Sequence, residues 1–370
     1  MKIIELVART AMVAVLTLAV GTAHSQEGVS KTSVTLGQSV AMTGPAAALG
    51  LPFARGARLY FDRVNAAGGI AGRKIELVTL DDAGNPATAG SNTRKLLEQG
   101  VLSLFGYYGS AQTTAANAAI KDSDTLLFAP MAAADELRGA LFPNVYSLRP
   151  GYSEEAAAIT RHAETLGARK LAVLHARDPE SLSALDSAER TMTSLGANLL
   201  VKAPLDAVDK ALAARPESVL VVSDFRGAAA AIRELRGKGY RGPIYGFSNT
   251  GESLLAEQLG ATGAGVVVVR VTPKSDNAKS ALVRELQADA AAAKLGKPNV
   301  YMLEGYIAAR AYAEALRRAG KEPSRAKLRK ALEALEELDL GGFRVHFAGE
   351  RVGSRLVELS LIDSVGRVRE

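Results

Sequence analysis

The sequence predicts an α/β protein built as two doubly wound, parallel-sheet lobes. Three observations lead there. Strand and helix patterns alternate one for one from Thr35 to Ala129. The alternation restarts after Pro150 and runs to Phe247. The tail then breaks the pattern with three helical stretches in a row, Ser280–Lys294, Tyr301–Ala319 and Ser324–Glu336. Strands separated by single helices pair in parallel through right-handed crossovers. Two such series make two open sheets, each with helices on both faces.

In the first series Thr35–Ala41 reads as a buried strand. Leu51–Asn65 follows as a helix, with Phe53, Ala57, Tyr60, Phe61 and Val64 at helical spacing. Gly68, Gly69 and Gly72 supply its stop and the turn, since glycine tolerates the left-handed backbone that ends helices. Lys74–Asp81 is a strand, and Pro86 opens a helix through Glu98. Leu102–Tyr107, Gln112–Lys121 and Thr125–Ala129 continue as strand, helix and strand.

The second series pairs helices Ser153–Leu166, Glu180–Leu195, Ala207–Ala214 and Phe225–Gly237 with strands Lys170–His175, Ala197–Val201, Ser218–Ser223 and Pro243–Phe247. Leu340–Phe347 and Leu356–Asp363 look like late strands. The late helices must cover sheet faces already built, so the chain returns to the first lobe and then to the second. Crossings are expected near Leu148–Tyr152, Arg270–Ser275 and Leu338–Phe343. Residues 32–148 with 275–338 would form lobe 1, and 149–271 with 343–370 lobe 2.

The chain has 370 residues, 48% of them hydrophobic and 23% charged, which fits about two globular domains. The excess of 45 Lys and Arg over 39 Asp and Glu is spread thinly, so no basic cluster points to nucleic acid. Residues 1–25 read as a secretory signal peptide. Lys2 and Arg9 precede an apolar run, Ala11 to Val20, and Ala23 and Ser25 sit at cleavage-site spacing. The run is too short to span a bilayer, which takes about 20 residues. The expected product begins near Gln26, is exported and is soluble.

The sequence implies no cofactor, metal or catalytic apparatus. Cysteine is absent, and G-x-G-x-x-G and P-loop patterns are missing from every strand-to-helix turn. His162, His175 and His346 have no second histidine at metal spacing. No nucleophile elbow appears. Asp81 and Asp82 read as closing a strand and satisfying turn amides.

Open parallel sheets bind ligands beyond the carboxyl ends of their strands, at helix N-termini. Those places are Met42–Leu49, Asp81–Pro86, Tyr107–Thr114 and Pro130–Ala134 in the first lobe. In the second they are Ala176–Ser181, Ser223–Arg226 and Ser248–Glu252. The run Gly106-Tyr107-Tyr108-Gly109-Ser110 is the most informative. Ser110 reads either as a plain helix cap or as the anchor of an anion on free backbone N–H groups.

The run Ser39-Val40-Ala41-Met42-Thr43-Gly44-Pro45, the stretch Asn65-Ala66-Ala67-Gly68-Gly69-Ile70-Ala71-Gly72-Arg73-Lys74-Ile75 and the pair Asp81-Asp82 together resemble a known family. So do Leu303-Glu304-Gly305-Tyr306-Ile307-Ala308-Ala309-Arg310 and Leu338–Phe347. The family is the type I periplasmic binding proteins of the leucine/isoleucine/valine-binding group, and the resemblance covers the mature chain. It implies a periplasmic, non-enzymatic protein whose lobes, joined by a three-crossing hinge, close on a small-molecule ligand. The partner it implies is the permease of an ABC importer in the inner membrane. A ligand-sensing receptor for a membrane signalling protein is the alternative, and a monomer is expected.

The resemblance also assigns a site. Ser110, beside Gly109 and Tyr108, matches the serine that holds the ligand carboxylate. Thr43 belongs to the first turn, and Leu49 stands where the family has an aromatic. Met131, Ala132 and Ala133 follow the fourth strand, with Ala133 in place of a threonine that meets the ligand ammonium. Ser248, next to Asn249, replaces the glutamate that meets the same ammonium. Phe225 and Tyr306 keep aromatic character, and Asp224 or Glu252 is left to substitute for the missing acid. A ligand carboxylate with an apolar or aromatic body, lacking an α-amino group, is the expectation.

Overall fold

The computed structural model describes residues 28–369; the signal-peptide reading lies outside them. Lobe 1 is built on β1 (Ser33–Val40), β2 (Lys74–Asp81), β3 (Ser103–Phe105), β4 (Leu127–Phe128) and β5 (Val145–Tyr146). The five strands are parallel in the order β2-β1-β3-β4-β5. The connecting helices are α1 (Ala47–Ala66), α2 (Pro86–Glu98) and α3 (Ser110–Ile120). α1 begins a turn before the expected Leu51 and carries Pro52 in its interior. Proline there removes one early hydrogen bond without preventing the first turn.

Lobe 2 carries α4 (Tyr152–Thr165), β6 (Lys170–His175), α5 (Pro179–Ser194), β7 (Asn198–Pro204), α6 (Val208–Ala213), β8 (Ser218–Val222), α7 (Phe225–Gly237), β9 (Ile244–Gly246), α8 (Glu252–Leu259) and β10 (Val266–Arg270). β7-β6-β8-β9-β10 run parallel. The chain then returns to lobe 1 as α9 (Ala281–Ala292), α10 (Val300–Ala319) and α11 (Arg325–Glu333). Tyr312 of α10 stacks edge-on against Phe61 and Phe105 and shares a 2.8 Å hydrogen bond with Ser103. Arg325 bonds the Val101 and Leu102 carbonyls.

Two late elements differ from expectation. Leu340–Phe347 is not one strand. β11 (Leu338–Asp339) and β12 (Arg344–Val345) form an antiparallel hairpin around Gly341 and Gly342, whose φ values of 88° and 108° suit only glycine. Asp339 accepts both glycine N–H groups. The third crossing also lies later than 338–343. Phe347 packs on Phe128 and Tyr146 of lobe 1, and Val352 bridges to Ser147 before the chain enters lobe 2. There β13 (Glu358–Ile362) lies antiparallel to β10, and β14 (Val368–Arg369) closes the edge. Short polar residues start the helices. Asn85 caps α2, Asp178 α5, Asp224 α7, Asn299 α10 and Ser324 α11, each accepting first-turn N–H groups.

Candidate functional site

The carboxyl ends of both sheets face each other across a cleft, and the N-terminus of α3 meets that of α5 there. The cap of α3 is Gly109, not Ser110. Its φ of 100° and the 2.2 Å that would separate an added Cβ from Gln112 Oε1 leave room only for glycine. Ser110 is thereby the first helical residue, free to turn its side chain outward. Its Oγ accepts the Ala134 N–H at 3.1 Å, which points its own proton away from that loop.

That proton goes to Glu180, in the first turn of α5 on the opposite lobe. Ser110 N–H donates to Glu180 Oε2 at 2.6 Å and Ser110 Oγ to Oε1 at 3.0 Å. Tyr152 Oη donates to the same Oε1 at 2.7 Å. A carboxylate thus sits between two helix N-termini, where the aligned peptide dipoles favour negative charge. Tyr108, beside this contact, feels Glu180, Asp178 and Asp224; burial first and then these anions push its phenol pKa well above normal. Two further contacts span the cleft. Arg226 Nη1 donates to the Pro45 carbonyl at 3.1 Å, and Tyr301 Oη to that of Asn249 at 2.9 Å.

Behind Ser248 lies a buried charge cluster. Arg149, on the first crossing, reaches Ser248 Oγ, Glu155 at 3.9 Å and Glu304 at 3.5 Å. Burial works against the Arg149 cation, but Glu304 and Glu155 more than offset it and hold its pKa above the usual value. Burial raises both glutamates, with Arg149 pulling the other way. Glu155 also accepts the Ser248 N–H and Oγ, at 2.8 and 2.7 Å.

These contacts decide what the sequence-derived site residues do. Gly109, Tyr108, Ser110 and the Met131–Ala133 loop come together: Gly109 N–H bonds Met131 O, and Tyr152 N–H bonds Ala133 O. Met131, Ala132 and Ala133 are buried. Thr43 is exposed and held by Asp81 at 2.6 Å. Burial resists ionisation of Asp81, but Thr43 and three backbone N–H groups draw its pKa down to about 2. Leu49 is buried in the hydrophobic core. Asp224 spends Oδ1 on the α7 cap, and Phe225 behind it lies under the Arg226 guanidinium at 5.1 Å. Burial pushes the Glu252 carboxyl up to about 7, so it makes a poor counter-ion at neutral pH.

Tyr306 is the correction. Its ring stacks on Tyr60 and its hydroxyl lies 2.9 Å from Glu285 and 2.6 Å from Asp289, within lobe 1. Tyr301 reaches the cleft instead. Five residues along a helix turn the side chain by about 140°, and α10 begins at Val300, so its first turn faces lobe 2. Sequence reasoning also missed Arg149, Tyr152 and Glu180. Glu180 does fall in the strand-end segment Ala176–Ser181, directly after the Asp178-Pro179 helix start.

Two parallel-sheet lobes whose helix N-termini meet at one carboxylate place the chain among two-lobed α/β proteins. The model of the periplasmic binding protein family matches residues 33–354. The chain belongs to that family, in its leucine/isoleucine/valine-binding branch. It is 26% identical over 290 residues to the leucine-specific-binding protein of Salmonella typhimurium, covering 75% of this chain and 77% of that protein. Among solved structures, the extracellular ligand-binding receptor from Verminephrobacter eiseniae superposes with a TM-score of 0.84 at 26% identity, covering 92% of this chain and 100% of that one. The substrate-binding periplasmic protein from Ralstonia solanacearum gives 0.84 at 28%, covering 91% and 99%.

Proposed function

We propose that this chain is an exported, non-enzymatic receptor that carries a small carboxylate-bearing ligand to the permease of an ABC importer. The ligand is held between lobes that close on it by hinge motion. The observation that carries the reading is the pair of donors at Ser110, N–H and Oγ, aimed at carboxylate oxygens inside the cleft. The family supports the binding role. N-terminal sequencing of the mature protein from the cell envelope is expected to start at or near Gln26; retention of Met1 would argue against export.

An acid without an α-amino group fits the neighbouring residues. Ala133 has no polar side chain, and the Ser248 hydroxyl is already engaged by Glu155 and Arg149. One observation favours a second reading, an amino acid: Glu180, Asp178 and Asp224 gather negative charge around Tyr108. A thermal-shift panel separates the two, and 4-methylpentanoate is expected to stabilise the protein more than leucine. Ser110→Ala should then weaken the preferred acid by about 1.5–3 kcal/mol, the range for a hydrogen bond to a charged group. Unchanged affinity in calorimetry would remove Ser110 from the site.

A further inference from the structure

The two donors that define the anion seat are already taken by the protein itself. Glu180 Oε2 and Oε1 lie 2.6 and 3.0 Å from Ser110 N and Oγ. Tyr152, a lobe-2 residue at the start of α4 and fully buried, holds the same carboxylate from behind at 2.7 Å. Charge-assisted bonds of this length are the strong kind. Resting the proposed ligand seat on Ser110, we infer that Glu180 is a tethered stand-in for the ligand's carboxylate. It latches lobe 2 onto lobe 1, and a ligand acid gains its seat only by displacing it.

The position of Glu180 makes this arrangement self-consistent. It is the second residue of a 16-residue helix whose cap, Asp178, and first proline fix the entry angle. The carboxylate is therefore carried on a rigid element, aimed at an opposing helix terminus on the other lobe. Across the cleft mouth, Arg226 to Pro45 and Tyr301 to Asn249 end on neutral carbonyls. Beside the first crossing Asp135 accepts from Ser153 and Arg149 pairs with Glu304, but Glu180 is the carboxylate that fills the Ser110 donors. Competition of this kind scales down the apparent affinity of any carboxylate ligand in proportion to the fraction of molecules left unlatched, so about nine-tenths latched corresponds to about a 10-fold loss. Glu180 thereby sets the affinity threshold and favours acids whose bodies fill the cleft well enough to open it.

Two measurements test the latch. First, wild type, Glu180→Gln and Glu180→Ala are stripped of small molecules by unfolding and refolding, then compared by small-angle scattering, with circular dichroism as the folding control. The variants should show a larger radius of gyration than wild type; equal radii in folded proteins overturn the latch. Second, 4-methylpentanoate, which has no amine for Glu180 to hold, is titrated by calorimetry. Glu180→Ala should bind it about 10-fold more tightly than wild type does. Equal or weaker binding overturns the latch. If 4-methylpentanoate binds neither protein, the reading of the ligand class fails, and scattering alone decides the latch.

Discussion

Arg149→Met is expected to destabilise the fold by about 3–5 kcal/mol, the cost of removing one partner from a buried ion cluster. The guanidinium side chain is 6% exposed, Glu155 is fully buried and Glu304 is 13% exposed. Without the cation, both buried carboxylates lose their nearest opposite charge, and Glu155 keeps only the field of Arg138. Their folded pKa values, already raised by burial, rise further. A carboxyl with a raised folded pKa binds its proton more tightly in the folded state, so stability falls as pH climbs above the unfolded value of about 4.5. The variant's deficit should therefore be small near pH 4 and grow toward pH 7. Urea unfolding across that range, read as a drop in midpoint at constant slope, checks it. Adding Glu155→Gln and Glu304→Gln should recover much of the loss. A pH-independent deficit would show that Arg149 acts by packing alone.

The second large effect lies where α1 crosses α10. An added Cβ at Gly305 would stand 2.0 Å from the Phe53 carbonyl oxygen, and one at Gly56 would stand 1.9 Å from that of Met302. Each glycine thus admits the other helix's backbone. Gly305→Ala must push two 20-residue helices apart. It should cost about 3 kcal/mol, the upper part of the usual range for overpacking. The shift would loosen the Tyr60–Tyr306 and Phe61–Tyr312 ring contacts, now at 5.1 and 6.4 Å between centroids. Gly56→Ala should cost a similar amount, and the double variant less than the sum, since one separation relieves both clashes. Thermal unfolding of the three variants reads this directly. A neutral Gly305→Ala would mean that the helices slide apart without penalty.

The fold was most legible where local chemistry marks both ends of an element. Lys74–Asp81, Pro86–Glu98, Lys170–His175 and Phe225–Gly237 match the structure at both boundaries, and the last has its cap, Asp224, one residue ahead. β5, of two residues, and α8, of eight, were not anticipated. A two-residue strand has no periodicity, and its pairing is decided by neighbours distant in sequence. The Gly341-Gly342 turn is visible as residues, yet the alternation Phe343-Arg344-Val345-His346-Phe347 joined to Leu340 reads as one strand.

The site divided along the same line. Ser110 could be read from a strand end, a glycine and a helix start. Glu180 could not, because its role exists only when two helix termini, 70 residues apart in sequence, face each other across two lobes. Tyr306 was misplaced for want of a single number, the residue at which α10 begins.

The return of the chain to each lobe has a consequence for how the molecule is made. Lobe 1 opens with β1 and α1, but the helix that fits against the Gly56 face of α1 is drawn from residues 300–319. Lobe 2 is sealed along β10 by residues 358–362. Neither half closes its core from a contiguous stretch, so nascent chain of up to about 300 residues lacks the partners it needs. Folding dominated by such distant pairings is slow. Late closure of both cores fits the export proposed above, since a polypeptide that packs only when nearly its whole length is available stays threadable until then.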